Sequence, residues 1–379
     1  SIDDNPSDLE RNGRLWGQSS ATGTEGKDYV TEVFGEIEAP LLSGLPGVEQ
    51  LTLNASARVF KYDTVADSDS VWKAGLLWQI VPSLSVRATK GTSYRAPGLY
   101  ELFLGDQTGF VSQLNDPCVA YLGPDVTNPN VPVNCAAAGI PSTLTGAGSS
   151  ITIISRGGLG LLKPETSRSF TAGVVFSPAS ANFSASLDYF KIEVLDQISQ
   201  LGAGAILNGC YGLAVYPNAF CNLITRNSAA SANPFTVDTV LNSYININSQ
   251  ITRGYDLNLR WDGEFKFGKL EVESQFTYTE EASRQLFNSN APSGYDSNDF
   301  NGTISRPKLV GNIRTALNRG DWSYTWSMDY VGRTQNIFTT PATFQGVPGP
   351  VYDTVAERAL YHSLSVRYGA DDWNLLVGV

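Results

Sequence analysis

Four cysteines are the residues whose type and spacing point most directly to covalent chemistry. Cys118 and Cys135 are 17 positions apart, and Cys210 and Cys221 are 11 positions apart. Zinc sites need ligands at closer spacing, and the single histidine, His362, lies far from both pairs. The spacing therefore predicts two local disulfide bonds, formed in an oxidising compartment. Four unpaired buried thiols, or disulfides that join one pair to the other, are the alternatives.

The segment between Cys118 and Cys135 contains residues that interrupt regular structure: Gly123, Pro124, Pro129 and Pro132. We therefore expect it to form neither helix nor strand and to depend on its disulfide for order.

Six side chains in two long predicted connections could contact a small ligand. Five are aromatic and could stack on a sugar or on a metal chelate: Phe110, Tyr121, Tyr211, Tyr216 and Phe220. The sixth, Arg95, could face a ligand, although a structural role in the turn before Pro97 is the alternative. For the aromatic side chains, the alternative is packing inside the loops beneath the disulfides.

Motifs of enzymes and nucleotide-binding proteins are absent from the sequence. It contains no G-x-S-x-G elbow, no H-E-x-x-H, no P-loop and no G-x-G-x-x-G after a predicted strand. The net charge of −11 argues against nucleic acid as a partner, because phosphate backbones require a basic surface. We therefore predict no enzyme activity, no metal site and no cofactor.

Alternating apolar and polar residues dominate the chain from Tyr29 onward. The clearest example is residues 170–176 and 183–189, where two alternating runs flank the turn Ser177–Ala181, which is typical of a β-hairpin. Residues 1–28 lack this period and are expected to form a loop. About twelve strands are predicted, in the runs 29–39, 51–59, 72–80, 84–88, 170–176, 183–189, 255–261, 270–278, 309–317, 322–330, 360–368 and 373–379.

The connections between these strands alternate between short and long. That rhythm, with aromatic residues near strand ends and polar faces rich in Glu and Arg, is typical of a transmembrane β-barrel. No apolar run reaches the ~18 residues of a membrane helix. We expect short turns at one rim (Pro82, Ala179, Arg319) and long loops at the other (Pro124, Asn218, Asn290). A soluble β-sandwich or propeller is the alternative.

Six stretches resemble the barrel of TonB-dependent outer-membrane receptors. They are Ser93–Phe103 (SYRAPGLYELF), Leu161–Phe170 (LLKPETSRSF), Gln250–Leu257 (QITRGYDL), Arg306–Asn312 (RPKLVGN), Asp321–Gly332 and Leu375–Val379. The resemblance implies an all-β, antiparallel barrel of 22 strands, of which residues 1–379 form a part, with 1–28 as an extracellular loop. It also implies that the plug, the first strands and the last strand of such a receptor lie outside this sequence.

The function implied by the resemblance is active transport across the bacterial outer membrane. The ligand would be an iron-siderophore, cobalamin, haem or an oligosaccharide. Energy would come from the TonB–ExbB–ExbD complex through the plug, and the barrel would contact outer-membrane lipid. A passive porin-like channel and, less favoured, an outer-membrane barrel enzyme are the alternatives.

Overall fold

The computed structural model describes residues 1–15, 19–65, 68–124, 126–146, 148–247, 249–284, 298–335, 343–344, 347–348 and 355–379. The predicted loop position Asn290 lies outside these residues. The strands are β1 (Ile2–Asp4), β2 (Thr24–Gly26), β3 (Val30–Leu45), β4 (Val48–Tyr62), β5 (Asp69–Val81), β6 (Leu84–Arg95), β7 (Gln107–Ser112), β8 (Ser150–Arg156), β9 (Glu165–Phe176), β10 (Phe183–Leu195), β11 (Gln197–Ser199), β12 (Ile224–Arg226), β13 (Val237–Ser243), β14 (Ile245–Ile247), β15 (Gln250–Phe265), β16 (Gly268–Arg284), β17 (Asn298–Asp299), β18 (Leu309–Arg319), β19 (Trp322–Val331), β20 (Thr334–Gln335), β21 (Thr343–Phe344), β22 (Val347–Pro348), β23 (Val355–Ala356), β24 (Ala359–Gly369) and β25 (Asn374–Gly378).

Four short α-helices accompany the strands in the described part of the chain. They are α1 (Asp8–Arg11), α2 (Leu99–Phe103), α3 (Asn130–Ala137) and α4 (Ala203–Gly212), and two 3₁₀ helices span Gln113–Asn115 and Ala219–Leu223. Within the described residues, no helix is both long enough and apolar enough to cross a bilayer.

Within the described residues, twelve strands form one continuous antiparallel sheet, which we call the wall. Its order is β3, β4, β5, β6, β9, β10, β15, β16, β18, β19, β24 and β25, so each wall strand pairs with the next one along the chain. The short strand β17 adds to the end of β16. About twelve strands were predicted, and the period-2 runs all fall in the wall.

The two faces of the wall differ in chemistry, as the alternation requires. Val174, Leu187 and Leu257 lie opposite one another on β9, β10 and β15, on what we call the apolar face. Val174 is 44% exposed and Leu187 is 51% exposed, so none of the described residues forms a layer over these side chains. An exposed apolar surface of this extent is what a lipid-facing barrel wall presents.

The opposite face, which we call the polar face, carries charges joined across strands. Arg87 on β6 donates two hydrogen bonds, of 2.8 and 2.7 Å, to the carboxylate of Asp188 on β10. Thr277 on β16 donates a 2.6 Å hydrogen bond to Asp256 on β15. Such contacts suit an aqueous interior.

The two long connections after β6 and β10, residues 96–164 and 196–249, fold together into one unit, which we call the cap. Its sheet has the order β12-β13-β8-β7 and takes β7 and β8 from the first connection, β12 and β13 from the second. The pair β13–β8 is parallel, with Thr239 opposite Thr152. Fully buried residues such as Ile151, Leu207 and Val240 form a core beneath this sheet.

Two expectations about loops were wrong. Residues 1–28 contain α1 and the strand pair β1–β2. These elements were not predicted because strands of three residues are too short to show an alternating pattern. The segment between Cys118 and Cys135 ends in α3, which includes Cys135. Pro132 is tolerated there because it lies in the first turn of the helix, where backbone N–H groups have no helical partner.

Candidate functional site

Both predicted local disulfides are present in the cap. Cys118 is bonded to Cys135 with a Cα–Cα distance of 5.6 Å, and Cys210 to Cys221 with a Cα–Cα distance of 4.8 Å. All four cysteines are therefore paired within their own connection. Cys118, Cys135 and Cys210 are almost fully buried, so each bridge is part of the cap's core.

Two of the predicted ligand-contacting aromatic residues are buried beside those disulfides. Tyr121 and Tyr211 are each 5% exposed, and the Tyr121 hydroxyl donates a 2.9 Å hydrogen bond to the carbonyl of Ile140. Tyr216 and Phe220 are partly buried against the same cluster, and the Tyr216 ring stacks 5.9 Å from that of Tyr211. The structure thus places four of the five rings in packing positions.

Phe110 lies apart from that cluster, on β7. Its side chain is 40% exposed and remains accessible to a ligand. The five aromatic candidates therefore do not converge on one pocket, and only Phe110 is presented to solvent to a large extent.

A buried ion pair, which the sequence did not indicate, lies beneath Tyr211. Arg226 donates to both carboxylate oxygens of Asp116, at 2.7 and 3.0 Å, and to the carbonyl of Phe235 at 2.6 Å. Its guanidinium also lies 5.2 Å from the centre of the Tyr211 ring. The Asp116 side chain is fully buried and that of Arg226 is 14% exposed.

Burial and charge set the ionisation of this cluster. Burial raises the pKa of the Tyr211 hydroxyl, and the adjacent Arg226 charge offsets this only in part. Burial alone would lower the pKa of the Arg226 guanidinium, but hydrogen bonds and charge from Asp116 outweigh it and raise that pKa. Arg226 therefore remains a cation inside the cap.

Gln113 provides a second link between the two halves of the cap. It is fully buried, and its side-chain amide donates to the carbonyl of Val237 while its carbonyl accepts from the backbone N–H of Val237 at 3.2 Å. Together with the β8–β13 pairing, Gln113 and Asp116 in the first connection hold the second connection in place. The contacting residues are more than 80 positions apart in sequence, which explains why no local sequence signal showed these contacts.

Arg95 joins the cap to the wall. It donates two hydrogen bonds to Glu165, at 2.9 and 2.6 Å, and two to Glu101, at 2.9 and 3.0 Å. Glu165 also accepts a 2.7 Å hydrogen bond from the backbone N–H of Ile198. The guanidinium is thus occupied by two carboxylates, which corresponds to the structural role considered for Arg95.

A cavity of about 410 Å³ opens on the wall near β3, β4 and β5. Its lining includes the aromatic ring of Trp72 and four charged side chains: Glu32, Glu36, Arg58 and Lys73. A smaller cavity of about 250 Å³ lies where Phe60 and Tyr62 approach Lys163 and Pro164. Neither cavity contains a predicted ligand residue.

Across the described parts of the chain, no cluster of His, Cys, Asp and Glu is arranged to hold a metal ion.

These features together define a class of protein. A long antiparallel wall has one exposed apolar face and one charged face. A disulfide-bonded cap is built from its long connections, while the opposite connections are tight turns. This combination is typical of a transmembrane β-barrel with ordered external loops.

The family follows from the sequence match. The model of the TonB dependent receptor-like β-barrel matches residues 3–379, and the chain therefore belongs to that family. A comparison with curated proteins finds no match.

Solved structures of siderophore receptors share the fold. One is a mutant of the ferric enterobactin receptor PfeA from Pseudomonas aeruginosa, in complex with enterobactin, at 16% identity and a TM-score of 0.60. It matches 99% of this chain and 43% of its own length. Another is the siderophore receptor PirA from Acinetobacter baumannii, at 14% identity and a TM-score of 0.56. The chain spans 44% of that protein's length, so both comparisons concern only part of these receptors.

Proposed function

We propose that this chain supplies part of the wall and the external cap of a transporter that captures a scarce ligand and imports it with TonB-derived energy. The observation that carries the proposal is the cap. Two long connections fold into one disulfide-bonded unit at one end of a wall whose polar face is lined with charged groups. An ordered external unit is suited to ligand capture, whereas a passive pore needs none.

The ligand class to test first is a ferric siderophore. The structural neighbours include receptors described as ferric enterobactin and siderophore receptors, although their low identity supports only the fold. Cobalamin, haem and oligosaccharides complete the test panel. TonB–ExbB–ExbD is the proposed energy-supplying partner, and the outer membrane is the proposed location.

The test is uptake of each labelled ligand by cells that express the full-length natural protein. We expect one ligand class to accumulate, and accumulation to stop when TonB is deleted or when the proton-motive force is collapsed. Uptake that continues at an unchanged rate without TonB would instead support the passive channel. A strain lacking the protein serves as the control for other uptake routes.

A further inference from the structure

Three basic side chains interrupt the apolar face of the wall on neighbouring strands. Lys90 on β6 and Lys191 on β10 are each directly opposite Phe170 of β9. Arg168 is two positions from Phe170 on β9, and alternation therefore places it on the same face. Lys90 and Arg168 are exposed, and Lys191 is half-buried.

The register brings these three cations close together around one aromatic ring. Residues directly opposite in adjacent strands have Cβ atoms about 5 Å apart, and diagonal neighbours are about 7–8 Å apart. Lys90 and Lys191 are direct neighbours of Phe170, and Arg168 is diagonal to both lysines. Their flexible side chains can therefore converge on a single anionic group.

The three side chains lie near the end of the wall that joins the cap. Arg168 is three residues from Glu165, the end of β9 that contacts the cap through Arg95. Aromatic rings accompany the cluster, because the rings of Phe170 and Tyr189 are 6.4 Å apart and those of Tyr189 and Tyr255 are 5.3 Å apart. Aromatic groups of this kind mark the level of the lipid headgroups.

The cluster keeps a positive charge that the protein leaves unpaired. Among the described residues, Lys90, Arg168 and Lys191 form no ion pair within 4.0 Å, whereas Arg253 on the next strand contacts Glu281 at 3.0 Å. Glu193 is opposite Arg168 in the register and offsets one of the three charges. Lys90, Arg168, Lys191 and Glu193 together therefore carry a net charge of +2, in a chain whose net charge is −11.

We propose that Lys90, Arg168 and Lys191 bind the phosphorylated headgroup of an outer-leaflet lipid, with Phe170 at the boundary of its acyl chains. Cations facing lipid are costly unless they reach the interface and meet an anion there. A phosphorylated lipid supplies that anion at the required height. The proposal goes beyond transport and rests only on the wall spanning the membrane.

The test compares two triple variants of the protein purified from cells in mild detergent and stripped of lipid. The first is Lys90→Gln, Arg168→Gln and Lys191→Gln. The matched control, Lys73→Gln, Arg260→Gln and Arg314→Gln, removes three cations from the polar face. Native mass spectrometry measures binding of the phosphorylated lipid A, and of the same lipid after enzymatic removal of its phosphates.

We expect a loss of roughly fivefold in affinity per cation, hence more than tenfold for the first variant and little change for the control. Removing the phosphates should weaken binding to the unmodified protein by a similar factor. Equal binding by the first variant and the unmodified protein would overturn the proposal, as would equal losses in both variants or retention of the dephosphorylated lipid. If the first variant bound lipid normally but no longer co-purified with another protein, the cluster would be a protein-binding site and the proposal would be overturned.

Assembly of each variant is checked by the heat-dependent gel mobility of folded barrels. If the first triple variant does not assemble, Lys90→Gln and Lys191→Gln are measured singly, and each should show a loss of roughly fivefold. No loss in either single variant would contradict the proposal. Uptake assays of the same variants separate this outcome from failure of the transport proposal.

Discussion

Asp116 and Arg226 form an ion pair inside the cap although they are 110 residues apart in sequence. Each comes from a different long connection, so the pair fixes one connection against the other. The surrounding groups satisfy the remaining donors of Arg226, because it also contacts the Phe235 carbonyl and the Tyr211 hydroxyl. At this scale the cap is organised by side chains that had no recognisable pattern in the sequence.

Asp116→Asn should destabilise the cap by about 3–5 kcal/mol, because it leaves the buried charge of Arg226 without a counter-charge. Hydrogen exchange of backbone amides in β12 and β13 measures this as faster local opening. The matched control is Asp106→Asn, which breaks an ion pair of the same 2.7 Å length with Arg156. Both side chains of that pair are more than 40% exposed, so its loss should cost ~1 kcal/mol or less. Similar exchange rates in the two variants would contradict the argument.

At the level of elements, the wall could be predicted and the cap could not. The alternating runs 170–176 and 183–189 lie inside β9 and β10, since long strands with one apolar face repeat every two residues. By contrast, β12 has three residues and pairs with β13, whose other neighbour, β8, lies more than 80 residues earlier. Short strands show no period, and pairing between distant connections leaves no local signal. The disulfides were predictable because cysteine spacing is itself a local feature.

Substitutions in β15 test the assignment of the two faces. Leu257→Arg puts a charge on the apolar face and should cost ~2–4 kcal/mol at mid-membrane depth. Asn258→Arg, one residue further on and opposite Ser186, points to the polar face and should be much milder. Urea unfolding of the barrel in lipid vesicles measures the difference. Equal destabilisation by the two variants would show that the faces are assigned incorrectly.

Loss of the bridge between Cys118 and Cys135 should affect ligand capture and leave the barrel intact. Closing a loop of about 15 residues stabilises it by ~3 kcal/mol on the chain-entropy estimate. The double substitution Cys118→Ala and Cys135→Ala should therefore loosen the cap, weaken ligand binding and leave the amount of folded barrel in the membrane unchanged. Leu122→Ala, in the same segment and 68% exposed, is the control and should change neither quantity. Loss of the folded barrel in the double variant would assign the bridge to wall assembly instead.

The whole molecule combines a wall that neighbouring strands build in chain order with a cap that distant segments build together. Its two ends are therefore different: tight turns such as that between β5 and β6 close one end, and the cap occupies the other. A membrane-spanning wall requires these ends to lie on opposite sides of the bilayer. Two of the predicted short-turn positions, Pro82 and Ala179, lie in the tight turns. The predicted loop positions Pro124 and Asn218 lie in the connections that form the cap.

This orientation predicts the reactivity of single introduced cysteines on intact cells. Asn218→Cys would remove hydrogen bonds that hold the cap together, because the Asn218 side-chain amide donates to the backbone carbonyls of Gly209, Cys210 and Val215. Pro124→Cys is therefore the primary cap probe, and Ala179→Cys is its counterpart in the turn between β9 and β10. A membrane-impermeant maleimide should label Pro124→Cys and leave Ala179→Cys unlabelled until the cells are permeabilised. Equal labelling of both before permeabilisation would exclude this orientation, because a closed bilayer cannot expose both ends of the wall to the medium.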